Sequence, residues 1–409
     1  MKKNLRNCIL ALLWMSSMGS LQAQTAGMLA VDTTQVDTAK VELPWPQNIQ
    51  ARLDSLVRNP MLQYSQLGLM VYDLTDDSTL YAFNARQTMR PASTMKLLTS
   101  ITALDQLGDK YQFRTSLYYT GSIKDSVLTG DLYCVGGMDP LFDSRDMKAF
   151  SESVKSLGIH TFCGRIVAVT DFKDQDLLGE GWCWDDDNPK LTPLLINKKD
   201  EFLGQFAQQL GKDSIFVDGP STGGSLPKNA LLLCSRSHSI IDVLEPMMKN
   251  SDNLYAESMF YQIAAATGAR PAKASHARKQ VIKTLSKAGV RGPYKIADGS
   301  GLSLYNYVSP ELLTRLLIYA YRKSGIIRDL YVALPIAGED GTLKKRMKDS
   351  PARLNVRAKT GTLTGISSLA GYALASNNHM LAFSIINQGV MRNDDGRNFQ
   401  DKVCNALCK

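Results

Sequence analysis

The sequence predicts an α/β (α+β) fold in which one domain is interrupted by a second, and three observations carry that expectation. Strand-like runs lie near both ends of the chain, helix-period patterns fill the stretches between them, and the middle changes character. From about Phe113 to Arg236 the text turns to short strand-like runs rich in Asp and Gly, and it holds four of the seven cysteines. Residues 48–112 and 237–409 are therefore expected to form the main domain, with 113–236 as an inserted mainly-β or mixed domain. Residues 1–23 read as a leader and 24–47, which lack periodicity, as a linker.

The leader, "MKKNLRNCILALLWMSSMGSLQAQ", has the order of a secretory signal peptide. Lys2, Lys3 and Arg6 form its basic end, Ile9 to Met18 is mostly apolar, and Leu21-Gln22-Ala23 is a cleavage site of small-residue type. Cys8 lies too early to be a lipidated cysteine. No run of 18 apolar residues exists elsewhere, so no stable membrane insertion is expected after signal removal. An exported, periplasmic or cell-envelope protein lives where disulfides are permitted. Cys134, Cys163, Cys183 and Cys234 share the middle segment, and Cys404 and Cys408 are a helical turn apart. Spacing leaves their pairing open, with buried free thiols as the alternative. Three of the eight net positive charges sit in residues 1–23, leaving +5 on the mature chain. A mildly basic exported protein suits an anionic polymer such as a cell wall. Nucleic acid is excluded as a partner by the leader and by the lack of a recognition motif.

Along the main domain, "LGLMVYDLTDDSTLYAFNA" reads as two strands around a polar turn at Thr75 to Thr79. "RPASTMKLLTS" opens a helix, with Pro91 in its first turn and Met95, Leu98 and Ile101 on its apolar face, running to about Leu107. A helix over "SHSIIDVLEPMMKN" breaks at "SDN", and another starts at "LYAESMFYQIAAATG". Ser309-Pro310-Glu311 starts a further helix with Leu312, Leu313, Leu316 and Leu317 on one face, stopping at Gly325. "VRAKTGTLTGISSLAGYALA", a turn at Asn377-Asn378 and "MLAFSIINQ" supply two strands, and a last helix closes the chain.

The chemistry starts with Ser93 and Lys96, three residues apart and so on one side of a helix. A serine hydroxyl becomes a good nucleophile when a base removes its proton, and lysine is that base only when neutral. With a reference pKa near 10.4, lysine is neutral about 0.04% of the time at pH 7. Burial beside Met95, Leu97 and Leu98, with a second cation close by, lowers that pKa by several units. A second Ser-x-x-Lys, Ser225 to Lys228, lies in a Gly- and Pro-rich loop that holds nothing in place. Of two Lys-Ser/Thr-Gly strings, Lys323-Ser324-Gly325 reads as a helix end with Gly325 as cap. Lys359-Thr360-Gly361, followed by Thr362, lies in a strand whose edge could pair with a peptide. There Gly361 would admit the substrate backbone, and Lys359 and Thr360 could hold a carboxylate. Ser376-Asn377 fits a hairpin turn. Ser251-Asp252-Asn253 lies between two helices, where the Ser251 hydroxyl could pass a proton to a leaving amine and the Asn253 amide could position a carbonyl. The same residues also make a good helix cap.

Other nucleophile patterns fail on context. Gly219-Pro220-Ser221-Thr222-Gly223 matches G-x-S-x-G, but no helix follows it. The four histidines, His160, His238, His276 and His379, show no pattern tying them to a serine. No CxxC or His-rich cluster suggests a metal, and "WCWDDDNPK" lacks EF-hand spacing, so neither metal nor cofactor is expected.

Ser93-x-x-Lys96, Ser251-x-Asn253 and Lys359-Thr360-Gly361, in that order, form the set of penicillin-recognising serine acyltransferases. With "RPASTMKLLTS", "GDLYCVGGMDP", "SDNLYAESM", "ADGSGLS", "AGEDGTL" and "AKTGTLTGISSLAGY", the chain from about Leu53 onward resembles peptidase family S13, the class C low-molecular-mass penicillin-binding proteins. The resemblance implies a penicillin-binding, serine β-lactamase-like transpeptidase fold. It also implies exported D-alanyl-D-alanine carboxypeptidase and endopeptidase activity on peptidoglycan stem peptides, inhibited by β-lactam antibiotics and free of cofactors. By motif, Ser93 would be acylated, Lys96 would be its base and Ser251 would relay the proton. Asn253 would bind the substrate amide, Lys359 and Thr360 its terminal carboxylate, and the N–H groups of Ser93 and Thr362 its oxyanion. Two departures are visible: Leu304 stands where relatives often carry a basic residue, and the insertion is shorter than in many of them. A β-lactamase would use the same set with an added glutamate that activates water, and neither Glu245 nor Glu257 sits in a motif that nominates it. A cell-wall binding protein without turnover is the non-enzymatic alternative.

Overall fold

The computed structural model describes residues 43–185 and 188–409, of which 44–409 form one unit. The leader and residues 24–42 of the linker lie outside the described residues. The helix Gln47–Leu56 begins at the last residue of the expected linker.

The main sheet has five antiparallel strands in the order Val356–Leu363, Ile366–Leu374, Met380–Gln388, Gln66–Asp73, Ser78–Phe83. Strands from the two chain ends thus lie side by side at its centre. The C-terminal stretch yields three strands where two were expected. Gly365, at φ +71°, turns the chain through a two-residue loop inside "KTGTLTGISS". Helices cover both faces of the sheet. Gln47–Leu56 and Asn393–Cys408 bury Ile49, Leu53, Phe399 and Val403 against Leu69, Val71, Phe383 and Ile385. Pro310–Tyr321 packs on the other face, and with Lys96–Leu107 and Asn253–Ala265 it shares one apolar cluster with Tyr372, Ala382 and Ile386. Helices on both faces explain why Ile366–Leu374 is buried at eight of its nine positions instead of at alternate ones.

Residues 112–239 leave and re-enter this body through two adjacent antiparallel strands, Gln112–Tyr119 and Leu231–Ser239, with Ser239 opposite Gln112. These two belong to a five-stranded mixed sheet, and between them in the chain lie its other three strands, a four-stranded mixed sheet and the helices Ser144–Lys155 and Phe202–Lys212. They enclose their own apolar cluster of Leu117, Phe142, Phe150, Phe162 and Phe206. All six cysteines of the described residues are free thiols, with Cys134, Cys404 and Cys408 buried. The expected C-cap at Gly325 is absent. The helix Pro310–Tyr321 ends at the Arg322 cap, and Gly325 is the second residue of the next helix, Ser324–Ala333. Among the described residues, no helix is long and apolar enough to cross a membrane.

Candidate active site

Pro91 does not open an α-helix as expected. It caps a 3-10 turn, Ala92–Met95, and the α-helix begins at Lys96. The tighter turn suits the pair better, because side chains at i and i+3 eclipse in a 3-10 helix. Lys96 Nζ lies 3.0 Å from Ser93 Oγ. Ala92, just before the serine, holds a left-handed φ of +48°, a conformation that costs a non-glycine residue about 1–3 kcal/mol. Gly301 makes room for it, since a Cβ there would stand 1.9 Å from the Ala92 carbonyl oxygen.

Lys96 is fully buried, and its amine donates to two further acceptors, Asn253 Oδ1 at 2.7 Å and the Ser300 carbonyl at 2.8 Å. Burial pushes its pKa down to about 8, while the carboxylates of Asp298, Glu257 and Asp252 pull it back toward the cationic form. Asn253 is the first residue of the helix Asn253–Ala265. Asp252 caps that helix by accepting the N–H groups of Leu254 and Tyr255, so the middle residue of the motif has a structural job. With its Oδ1 on Lys96, Asn253 has its amide nitrogen left for a substrate carbonyl.

The edge strand Val356–Leu363 brings the third motif. Lys359 is fully buried and donates to Ser251 Oγ and to the Thr360 carbonyl, both at 2.9 Å. Burial first, and the charge of Lys96 second, hold its pKa well below the usual lysine value. Thr360 Oγ1 lies 2.8 Å from Thr342 Oγ1 of the "AGEDGTL" turn. At one end the strand edge is covered, with Ala358 N–H donating to Pro335 and Ala337 N–H to Val356. Strand alternation aims the N–H groups of Thr360 and Thr362 along the same edge, which continues open beyond Ala358.

Gly361 does not serve substrate approach as expected. A Cβ on it would point inward, 2.7 Å from the Pro91 carbonyl and 2.9 Å from the Ser93 nitrogen. The glycine lets the edge strand press against the serine turn.

All seven residues singled out by motif therefore fall on two adjoining elements, the Ser93 turn and the edge strand, and on the 251–253 turn that bonds to both. The decoys do not join them. Ser225 and Lys228 are exposed in the loop after the strand Ser221–Gly224, and Asn377-Asn378 turns a hairpin, with Asn378 at φ +66°. Sequence reasoning set Glu257 aside and missed Asp298 and Ser300, all three buried near Lys96. "ADGSGLS" was the available signal, but a backbone carbonyl as ligand leaves no residue-type signature. Asp298 accepts from Trp182 Nε1, the Gly301 and Ser303 N–H groups and Asn306, which pins the loop to the inserted segment. Leu304 lines a cavity of about 580 Å³ together with Arg90, Cys183, Leu363 and Gln388.

The chain matches the model of the D-Ala-D-Ala carboxypeptidase 3 (S13) family over residues 49–195 and 192–408. It is 26% identical over 405 residues to D-alanyl-D-alanine carboxypeptidase DacB of Haemophilus influenzae, covering 78% of this chain and 84% of that protein. It is also 26% identical over 436 residues to the D-alanyl-D-alanine carboxypeptidase of Actinomadura sp. strain R39, covering 82% and 80%. The crystal structure of Haemophilus influenzae penicillin binding protein 4 (dacB) superposes with a TM-score of 0.79 at 25% identity, covering 88% of this chain and 98% of that one. The same protein has been solved in complex with a β-lactam and superposes with a TM-score of 0.73.

Proposed function

The chain belongs to the D-Ala-D-Ala carboxypeptidase 3 (S13) family, and on that premise we propose how its site performs the reaction. The protein is a serine D-alanyl-D-alanine carboxypeptidase and endopeptidase of peptidoglycan stem peptides, and it binds β-lactams. One observation carries the assignment of the site: a fully buried lysine, held by three acceptors, has the Ser93 hydroxyl as one of them.

Neutral Lys96 takes the Ser93 proton as Oγ attacks the carbonyl carbon of the penultimate D-alanine. The N–H groups of Ser93 and Thr362 receive the developing oxyanion. Asn253 Nδ2 positions a substrate carbonyl. Lys359 and Thr360 hold the terminal carboxylate, and their place on an open edge supports an extended peptide pairing there. Collapse of the intermediate breaks the peptide bond. The leaving amine gains a proton through Ser251, whose contact with Lys359 supports that route. Water then hydrolyses the Ser93 ester and restores the free hydroxyl. The basic, apolar and small-residue order of residues 1–23 supports export to the cell envelope.

The test is incubation of the mature protein with benzylpenicillin, followed by intact mass. A one-to-one adduct on the Ser93 peptide is expected. No adduct, or one on another residue, overturns the site assignment.

A further inference from the structure

Glu257 touches neither Ser93 nor Lys96, yet it stands behind one of the acceptors that hold the lysine. It lies one helical turn after Asn253, so both side chains leave the same face of the helix. Asn253 reaches Lys96 directly. Glu257 Oε1 instead accepts two successive backbone N–H groups, Gly299 at 3.0 Å and Ser300 at 2.7 Å. The carbonyl of that same Ser300 receives the Lys96 amine at 2.8 Å.

The loop has little freedom to do otherwise. Thr99 Oγ1, from the Lys96 helix, donates to the Gly299 carbonyl at 2.6 Å. A Cβ on Gly299 would stand 2.6 Å from Phe260, so the loop is pressed onto the helix that carries Glu257. Glu257 itself is 1% exposed.

This arrangement matters for the neutral lysine. An uncharged amine has two N–H bonds and one lone pair, arranged tetrahedrally. If Ser300 O and Asn253 Oδ1 take the two N–H bonds, the lone pair is left for the third neighbour, the Ser93 hydroxyl. Without the Ser300 carbonyl the amine can turn an N–H toward Ser93 and cease to be aimed as a base.

We propose that Glu257 is a positioning residue for acylation: it fixes the Ser300 carbonyl which, with Asn253, aims the Lys96 lone pair at Ser93 Oγ. This rests on the reading of Ser93 and Lys96 as nucleophile and base. The charged groups around the amine are Glu257, Asp298, Asp252 and Lys359. Burial, then the charge of Asp298, raises the Glu257 carboxyl to about 8, the range in which Lys96 exchanges its own proton.

The experiment measures benzylpenicillin acylation of the mature protein, separating non-covalent binding from the first-order acylation step, across pH. Glu257→Ala is expected to slow the acylation step about 100-fold with binding unchanged. Glu257→Gln keeps an oxygen for both N–H groups. It is expected to recover to within about tenfold of wild type. Glu257→Ala at the wild-type rate overturns the proposal. So does Glu257→Gln as slow as a dead site, and that outcome stands even if the alanine variant does not fold. Failure of wild-type protein to acylate at Ser93 would instead strike the underlying reading.

Discussion

Lys359 Nζ lies 2.9 Å from Ser251 Oγ, joining the sheet edge to the turn between two helices. Ser251 holds a left-handed φ of +61°, a strained conformation for a serine. The contact ties the edge strand to the 251–253 turn, and it sets a buried amine beside the hydroxyl proposed to pass a proton to the leaving group.

Lys359→Ala is expected to lower kcat/KM for a peptide ending in D-Ala–D-Ala by about 10- to 100-fold, the worth of one or two hydrogen bonds to a charged group. The same peptide with an amidated C-terminus, compared by steady-state hydrolysis, separates carboxylate recognition from general damage. Recognition predicts that the variant loses most of the preference for the free acid. An equal loss on both substrates would reject the role.

Ser93→Ala is expected to abolish covalent penicillin labelling while the melting temperature stays within a few degrees of wild type. The side chain is only partly buried and its removal leaves Lys96 with two acceptors. Labelling that persists in this variant would place the nucleophile elsewhere.

Acylation should follow the neutral fraction of Lys96, whose pKa is about 8. The rate is expected to rise with pH to a plateau above that value and to stand about 100-fold below it at pH 6. Benzylpenicillin suits the measurement because its carboxylate stays ionised throughout. Stability has the same sign. In the unfolded chain Lys96 returns to its ordinary value of 10.5, so between about pH 8 and 10.5 the unfolded state binds more protons. The contribution of Lys96 to stability therefore rises with pH across that window and is unfavourable below it. A flat rate profile between pH 6 and 9 would exclude Lys96 as the base.

The sequence carried the site further than the fold. Ser93, Lys96, Asn253 and Lys359 are charged or polar residues whose spacing has a chemical meaning, and residues on the same turn need no long-range geometry to meet. Strand and helix runs such as Gln66–Asp73 and Pro310–Tyr321 were equally legible, because a periodic apolar face shows in the order of residues. What failed depended on backbone direction. The 3-10 turn at Ala92–Met95, the hairpin at Gly365 and the inward aim of Gly361 follow from what packs against them. The Ser300 carbonyl and its support from Glu257 were hidden for the same reason: any residue has a carbonyl, and its aim is set by partners 43 residues away in sequence.

Gly361→Ala tests whether the fit between the edge strand and the serine turn governs catalysis. The added methyl would meet Ser368 Oγ at 2.2 Å, the Pro91 carbonyl at 2.7 Å and the Ser93 nitrogen at 2.9 Å. Ser368 can rotate, but it donates to Pro91 O at 2.6 Å and would give up that bond. The other two atoms are backbone, so the strand and the turn must separate. Overpacking of this kind costs about 1–3 kcal/mol, a fall in melting temperature that leaves the protein folded. The catalytic penalty should be larger, because the displaced atoms include the Ser93 N–H proposed to receive the oxyanion, and a misplacement of about 1 Å can cost 10²-fold in rate. Acylation slowed about 100-fold with penicillin still bound is the expected outcome. A variant that melts earlier yet acylates at the wild-type rate would show that the close approach serves packing alone.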